Sequence, residues 1–281
     1  MARFQQPPAD SLAIRVAVIQ GNYEQDRKET ASLDETLADY LNLSRQALAG
    51  APDLIVWPES TITYPVNFWP EGVEQIQRFA DQANVELLAG TVRGNQTARN
   101  TLIFLNQAIL FTPGKSVKLD GPEVDLHEFP SYSKMHLVPF GEWVPWGEHW
   151  PFSMIETLIE EAGAGIFKPG DHQTLFVTRQ GARFAVAICF ESTLAWMWRQ
   201  ARNQGADFVI TITNDAWYKR SAGLEQHFTQ TVFRAVENRI PAVRAANTGI
   251  SGFIGPTGEI LDLLPPHQAG FLTQELRLPR P

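Results

Sequence analysis

Apolar positions along the chain follow two alternating rhythms. The run AIRVAVIQ (13–20) is nearly continuous and rich in β-branched residues, the pattern of a strand covered on both faces. Leu33, Leu37, Leu41 and Leu48 then recur near helical spacing and predict an amphipathic helix over 29–49. PDLIVWPE (52–59) reads as another buried strand, stopped by Pro58. A second helix is expected over 71–83, followed by the strand VELLAGTV (85–92) and two sheet strands, NTLIFLN (100–106) and AILF (108–111). The stretch 112–170 is irregular and rich in Pro, Gly and aromatics. Order returns with TLFVTRQGARFAVAICF, two strands turning at Gln180 and Gly181. A helix over 193–204 and the strand DFVITIT (207–213) follow, then a helix over 223–239 marked by Leu224, Phe228, Val232 and Val236. The last third offers the short strands AVRAA, SGFIG, EILDLL and GFLTQEL. Strands alternating with helices, with several adjacent strand pairs, predict an α/β fold of layered sheets. Residues 1–12 read as a flexible lead-in and 13–281 as one domain.

Composition narrows the function more than the fold. A net charge of −8 argues against a general nucleic-acid binder, which carries a basic excess. The single cysteine excludes an intrachain disulfide and a zinc site built on several thiolates. No apolar run approaches the ~20 residues that cross a bilayer, and MARFQQPPADS has no apolar signal core. For a complete chain this predicts a soluble cytoplasmic protein; a domain excised from a membrane protein would leave the location open. So long a connection as 112–170 is usually functional or disordered.

Polar groups stand where apolar strands end. Glu59 follows LIVWP, Lys134 lies in YSKMHLVPFGE, Cys189 and Glu191 close FAVAICFE, and Asn214 and Asp215 close FVITITND. In α/β sheets, side chains at strand ends face a crevice where ligands and catalytic groups collect. A thiol needs a base or a nearby cation to attack a carbonyl. A carboxylate whose pKa is raised by burial can serve as that base. A lysine ammonium can stabilise both the thiolate and the oxyanion of a tetrahedral intermediate. Each residue also has a plainer reading: Cys189 as core packing, Glu59 as a turn or capping residue, Lys134 and Glu142 as solvated surface charges. His136 invites a Cys–His pair, ranked lower because no orienting residue stands out. His227 reads as a helix-surface or capping residue.

Together, WPES around Glu59, YSKMHLVPFGE around Lys134 and ICFES around Cys189 resemble the nitrilase superfamily of carbon–nitrogen hydrolases. KMHLVPFGEWVP and NDAWYKRSAGLEQHFTQTVFRAVENRIPAVRAANTGISGFIGPTGEI are similar to one branch, the catalytic domain of apolipoprotein N-acyltransferase. The resemblance runs from RVAVIQGNY to about Leu263. It implies a four-layer αββα sandwich and a Glu–Lys–Cys triad, with Glu59 as general base, Lys134 as the cation beside the oxyanion and Cys189 as nucleophile. Glu142 would orient Lys134 or assist proton transfer. The backbone N–H of Phe190 would join Lys134 in holding the oxyanion, with Glu191 in the same pocket and Trp217 lining it. It also raises a homodimer as an expectation.

That branch carries its catalytic domain among transmembrane helices, which this sequence lacks. The segment 140–165 is packed with apolar residues, among them Trp143, Trp146, Trp150 and Phe152. It reads either as cover for the domain's own core or as an apolar lid over an acyl chain, able to touch a membrane surface. The expected activity is formation of an acyl-thioester on Cys189 and transfer of the acyl group. The substrate is then an amide or other acyl donor, and neither metal nor organic cofactor is called for. A stand-alone amidase hydrolysing a small amide is the alternative, and a non-catalytic binding module with the same fold ranks behind it.

Overall fold

The computed structural model describes residues 11–24, 27, 30–96, 102–139, 141–143 and 166–278. The expected segment 140–165 therefore lies outside the described residues, apart from Gly141 to Trp143. No helix among the described residues is long and apolar enough to cross a membrane.

The first sheet is built from β1 (Leu12–Gln20), β2 (Leu54–Val56), β3 (Ile62–Pro65), β4 (Glu86–Gln96) and β5 (Leu102–Phe111). After a separate hairpin, β6 (Lys118–Asp120) and β7 (Glu123–Asp125), it continues with β8 (Ser131–Ser133) and β9 (Ile166–Phe167). The second sheet runs in the order β10 (Leu175–Val177), β11 (Arg183–Ile188), β12 (Phe208–Thr213), β13 (Ala242–Ala246), β14 (Ser251–Ile254) and β15 (Ile260–Leu264). The last strand, β16 (Gly270–Leu278), returns to the first sheet and pairs antiparallel with β1 along its length. Leu12, placed in the lead-in from sequence, already pairs with Leu278. The two strands expected over 100–111 are one continuous β5. Its polar interruption, Gln107, stays in register opposite Thr91 and donates to Ser133 Oγ at 2.7 Å.

Burial shows why the strands are apolar on both faces. Ile14, Val16, Leu54, Val56 and Leu110 of the first sheet pack against Phe184, Val186, Ile188, Phe208 and Ile210 of the second. The opposite face of the first sheet, with Ala17, Ile19, Ile55 and Leu87, is covered by α1 (Leu33–Ala47) and α2 (Pro70–Ala83) through Leu37, Tyr40, Val73 and Ile76. The outer face of the second sheet, with Ala185, Ala187 and Val209, is covered by α3 (Ala195–Asn203) and α4 (Gly223–Asn238) through Trp198 and Phe228. This is the expected αββα sandwich.

Strand direction positions the site. β11, β12 and β13 are mutually parallel, so their C-terminal ends share one edge of the second sheet. In the first sheet β2 is parallel to β4, β5 is antiparallel to β4, and β8 is antiparallel to β5. β8 therefore runs in the direction of β2, and both deliver their C-terminal residues to one edge.

Candidate active site

Glu59 lies three residues beyond β2. The turn that carries it is fixed by Trp57 N–H donating to the Leu88 carbonyl (2.8 Å) and Thr61 N–H donating to the Gly90 carbonyl (2.9 Å). Gly90 is required here, because a Cβ would stand 2.0 Å from the Pro58 carbonyl oxygen and 2.7 Å from Glu59 Cα. Lys134 directly follows β8, with its N–H on the Asn106 carbonyl (2.8 Å) and its carbonyl accepting from Gly170 N–H (2.8 Å). Glu142 is brought back by a turn in which its N–H donates to the Val138 carbonyl (2.9 Å) and its Oε2 accepts from Val138 N–H (2.7 Å).

These three side chains meet. Lys134, 1% exposed, donates from Nζ to Glu59 Oε1 at 3.2 Å and to Glu142 Oε1 at 2.8 Å. The ammonium has three donors, so one is left for a third partner. The remaining Glu59 oxygen, Oε2, accepts from the backbone N–H of Asn214 at the end of β12 (2.8 Å), which ties the two sheets together. Asn106 bridges both carboxylates, donating from Nδ2 to Glu59 Oε1 (2.8 Å) and Glu142 Oε1 (3.3 Å). Sequence reasoning passed over Asn106; the one available signal was a polar residue at a sheet position within an apolar strand.

Cys189 directly follows β11 and begins a short 3-10 turn, Cys189–Thr193. Its φ is +53°, a left-handed conformation that a non-glycine residue adopts only under constraint. The thiol is partly buried. Burial pushes it up to about 12; the Glu59 charge acts in the same direction, and Lys134 and a hydrogen bond with Thr213 pull against them. The Lys134 pKa is raised as well: burial would lower it, but the charges of Glu59, Cys189 and Glu142 outweigh that, so the ammonium is fixed.

The expectation that burial leaves Glu59 with a raised pKa is corrected. Burial does raise it, but Lys134, the Asn106 amide and the Asn214 N–H together hold the carboxyl below the usual range. At rest the site thus pairs an ionised Glu59 and a charged Lys134 with a neutral thiol. A neutral nucleophile beside a carboxylate and an ammonium is equipped for base-assisted attack on a carbonyl.

The carbon-nitrogen hydrolase family model matches residues 15–280. The chain belongs to the carbon-nitrogen hydrolase family. Among curated proteins of this family, it is 37% identical over 273 residues to the apolipoprotein N-acyltransferase of Geobacter metallireducens, covering 96% of this chain and 49% of that protein. It is 34% identical over 276 residues to that of Haemophilus ducreyi, covering 97% and 50%. The chain thus spans about half the length of the curated relatives it matches. Saccharomyces cerevisiae Nit3, a nitrilase-superfamily member, has the same fold with a TM-score of 0.66 at 17% identity, over 95% of this chain and 90% of that one. An amidase from Nesterenkonia sp. gives 0.64 at 18%, over 97% and 93%.

Three residues sit differently from expectation. Glu191 is fully buried and faces protein rather than a pocket. Its Oε1 accepts from Tyr132 Oη (2.8 Å), Met135 N–H (2.7 Å) and His136 N–H (2.9 Å), and its Oε2 from Ile188 N–H (2.9 Å). It braces the lysine loop against the cysteine turn. Trp217 is 72% exposed, so its ring meets solvent rather than a closed pocket wall. His227, read as a surface or capping residue, is buried. Its Nδ1 lies 2.9 Å from Asp215 Oδ1 and its Nε2 lies 3.2 Å from the Cys189 carbonyl. The helical period could not show this, because these polar groups come from the turns that follow β11 and β12. His136 places its ring edge-on to Trp196 with centroids 5.0 Å apart, and Phe190, next in sequence to Cys189, is exposed.

Proposed function

We propose that this chain is the catalytic part of an acyl-transfer enzyme that forms a thioester on Cys189, most like the catalytic domain of an apolipoprotein N-acyltransferase. The observation that carries this reading is the buried Glu59–Lys134–Glu142 cluster set against the strained cysteine turn. Glu59 is the general base, Lys134 the cation and Cys189 the nucleophile, with Glu142 orienting Lys134. We read residues 13–281 as one catalytic domain.

In the first half-reaction Glu59 takes the thiol proton as sulfur attacks the acyl carbonyl carbon. The carbonyl oxygen becomes an oxyanion held by the third Lys134 donor and the Phe190 N–H. Collapse expels the donor's alcohol or amine, which leaves with the proton from Glu59. In the second half-reaction the acceptor gives its proton to Glu59 and attacks the thioester carbonyl; the thiolate leaves and is reprotonated from Glu59. Because Glu59 is the stronger acid at rest, the first transfer is uphill, and it becomes accessible only with the oxyanion forming beside Lys134.

The donor's acyl group is apolar in this reading. Trp143 follows Glu142, Phe190 follows Cys189, Trp196 packs on His136, and Trp217 and Tyr218 follow Asp215; all five rings are exposed. Such aromatics favour an acyl chain or a lipid surface over a small polar amide. We extend this to 140–165 as the part that meets the donor or a membrane surface, and we read the exposed Phe233, Val236 and Ile260 as the face of a homodimer.

Incubation with acyl p-nitrophenyl esters and with phospholipid vesicles, followed by intact mass, tests the reading. Wild type gains the acyl mass and Cys189→Ser gains no thioester. Adding an amine acceptor to the acyl-enzyme separates the two acceptors: amide product supports the acyltransferase, and release of free acid alone supports an amidase.

A further inference from the structure

Behind Cys189 lies a buried polar network that takes no part in the proton transfers above. Arg244, fully buried on β13, donates from Nη2 to Asp215 Oδ2 (2.8 Å), from Nη1 to Thr231 Oγ1 (3.1 Å) and from Nε to the Ile250 carbonyl (3.2 Å). Asp215 Oδ1 accepts from Thr213 Oγ1 (2.8 Å) and lies 2.9 Å from His227 Nδ1. Arg244 Nη2 also stands 3.1 Å from that Nδ1. On the far side of the ring, Nε2 meets Ser192 Oγ (3.0 Å) and the Cys189 carbonyl oxygen (3.2 Å). Space around Asp215 is closed, since a Cβ on Gly249 would stand 2.1 Å from its Oδ2.

A carbonyl oxygen only accepts, so the contact with Cys189 requires the proton on Nε2. That carbonyl belongs to the same peptide plane as the Phe190 N–H, and in a trans peptide the two point in opposite directions. Holding the carbonyl towards His227 therefore aims the N–H away from the network. Donation to the carbonyl also polarises the peptide and strengthens its N–H as a donor. The left-handed φ of Cys189 makes this plane one that local preference alone would not keep.

We propose that His227, whose Nδ1 accepts from the Arg244 guanidinium that Asp215 holds in place, is a positioning residue that aims the Cys189–Phe190 peptide so that its N–H faces the oxyanion. This rests on the reading of Phe190 N–H as an oxyanion donor. It predicts that His227 matters for attack on a carbonyl and little for the thiol's access to other electrophiles.

The test compares two reactions of the same thiol. Acylation by a p-nitrophenyl ester passes through an oxyanion, whereas alkylation by iodoacetamide at the same pH does not. His227→Leu is expected to slow acylation at least tenfold, a part of the roughly 10²–10³-fold lost with a whole oxyanion donor. Alkylation is expected to change less than about threefold, and His227→Gln, whose amide N–H can stand near the Nε2 position, to recover part of the acylation rate. Equal losses in both reactions would show that His227 only keeps the thiol presented and would overturn the proposal, as would wild-type acylation in a folded His227→Leu variant. If His227→Leu does not fold, Asp215→Asn, which keeps the shape and removes the anchoring charge, carries the same comparison: a selective loss of acylation supports the proposal, and equal losses or none overturn it. A wild-type protein that alkylates but accepts no acyl group would instead count against the acyl-transfer reading itself.

Discussion

Glu59 is pulled in two directions, and the balance decides its chemistry. Burial favours its neutral form, but an ammonium and two N–H donors hold it ionised, while its own charge helps to keep the neighbouring thiol protonated. Glu59→Gln is therefore expected to move two rates in opposite directions. Acylation falls by two orders of magnitude or more with loss of the proposed base. Alkylation at pH 8 rises several-fold, because removing the negative charge lowers the thiol pKa and each unit gives about tenfold more thiolate. Stopped-flow alkylation and burst kinetics measure the two; a fall in both would show that Glu59 does not raise the thiol pKa. The pH dependence has a definite sign. A carboxyl held below its usual range stays ionised as pH falls from 8 to 5, so Glu59 contributes no acid limb to acylation in that interval. The wild-type alkylation rate, governed by a thiol near 12, keeps rising through pH 10. At this scale Glu59, Lys134, Glu142 and Cys189 were legible because each follows a strand or sits in a recognisable motif. Asn106 and His227 were not, since their partners come from chain segments 36 to 47 and 12 to 38 residues away.

Elements carry these residues through close backbone approaches. β4 passes the Glu59 turn so tightly that Gly90 leaves no room for a methyl group. Gly90→Ala must displace Pro58 or Glu59, so it is expected to cost about 1–3 kcal/mol of stability, as overpacking does, and to reduce acylation at least tenfold. Denaturant melts and burst amplitudes check both; a full burst would show that the Glu59 turn tolerates the shift. α1 was expected over 29–49 and spans Leu33–Ala47, because Ser32 caps it: its Oγ accepts from Glu35 N–H at 3.1 Å. Long periodic runs such as β1, β12 and α4 were legible to within a few residues. β8 was not: three residues with one buried tyrosine carry no readable period, yet β8 delivers Lys134.

Across the whole molecule, the two sheets share one core, and the site sits where their strand ends meet. The hydrogen bond from Asn214 N–H to Glu59 joins the sheets at that edge, so their packing sets the site's dimensions. Phe184 stacks on Phe176 with centroids 4.9 Å apart in the inter-sheet core. Phe184→Ala is expected to cost about 3–5 kcal/mol, read as a lowered denaturation midpoint. Layering was legible from strands apolar on both faces, but the return of β16 to pair with β1 was not, because sequence order does not show which sheet a late strand joins.

The proposed chemistry stands or falls on whether Cys189 takes up an acyl group with the help of Glu59 and Lys134. Intact mass after incubation with a long-chain acyl p-nitrophenyl ester reads this out. Wild type is predicted to gain one acyl mass, labile to hydroxylamine, mapped to Cys189, and strongly slowed in Glu59→Gln. An unmodified wild-type protein with its thiol still open to iodoacetamide, or an acyl adduct that persists in Cys189→Ala, would contradict it.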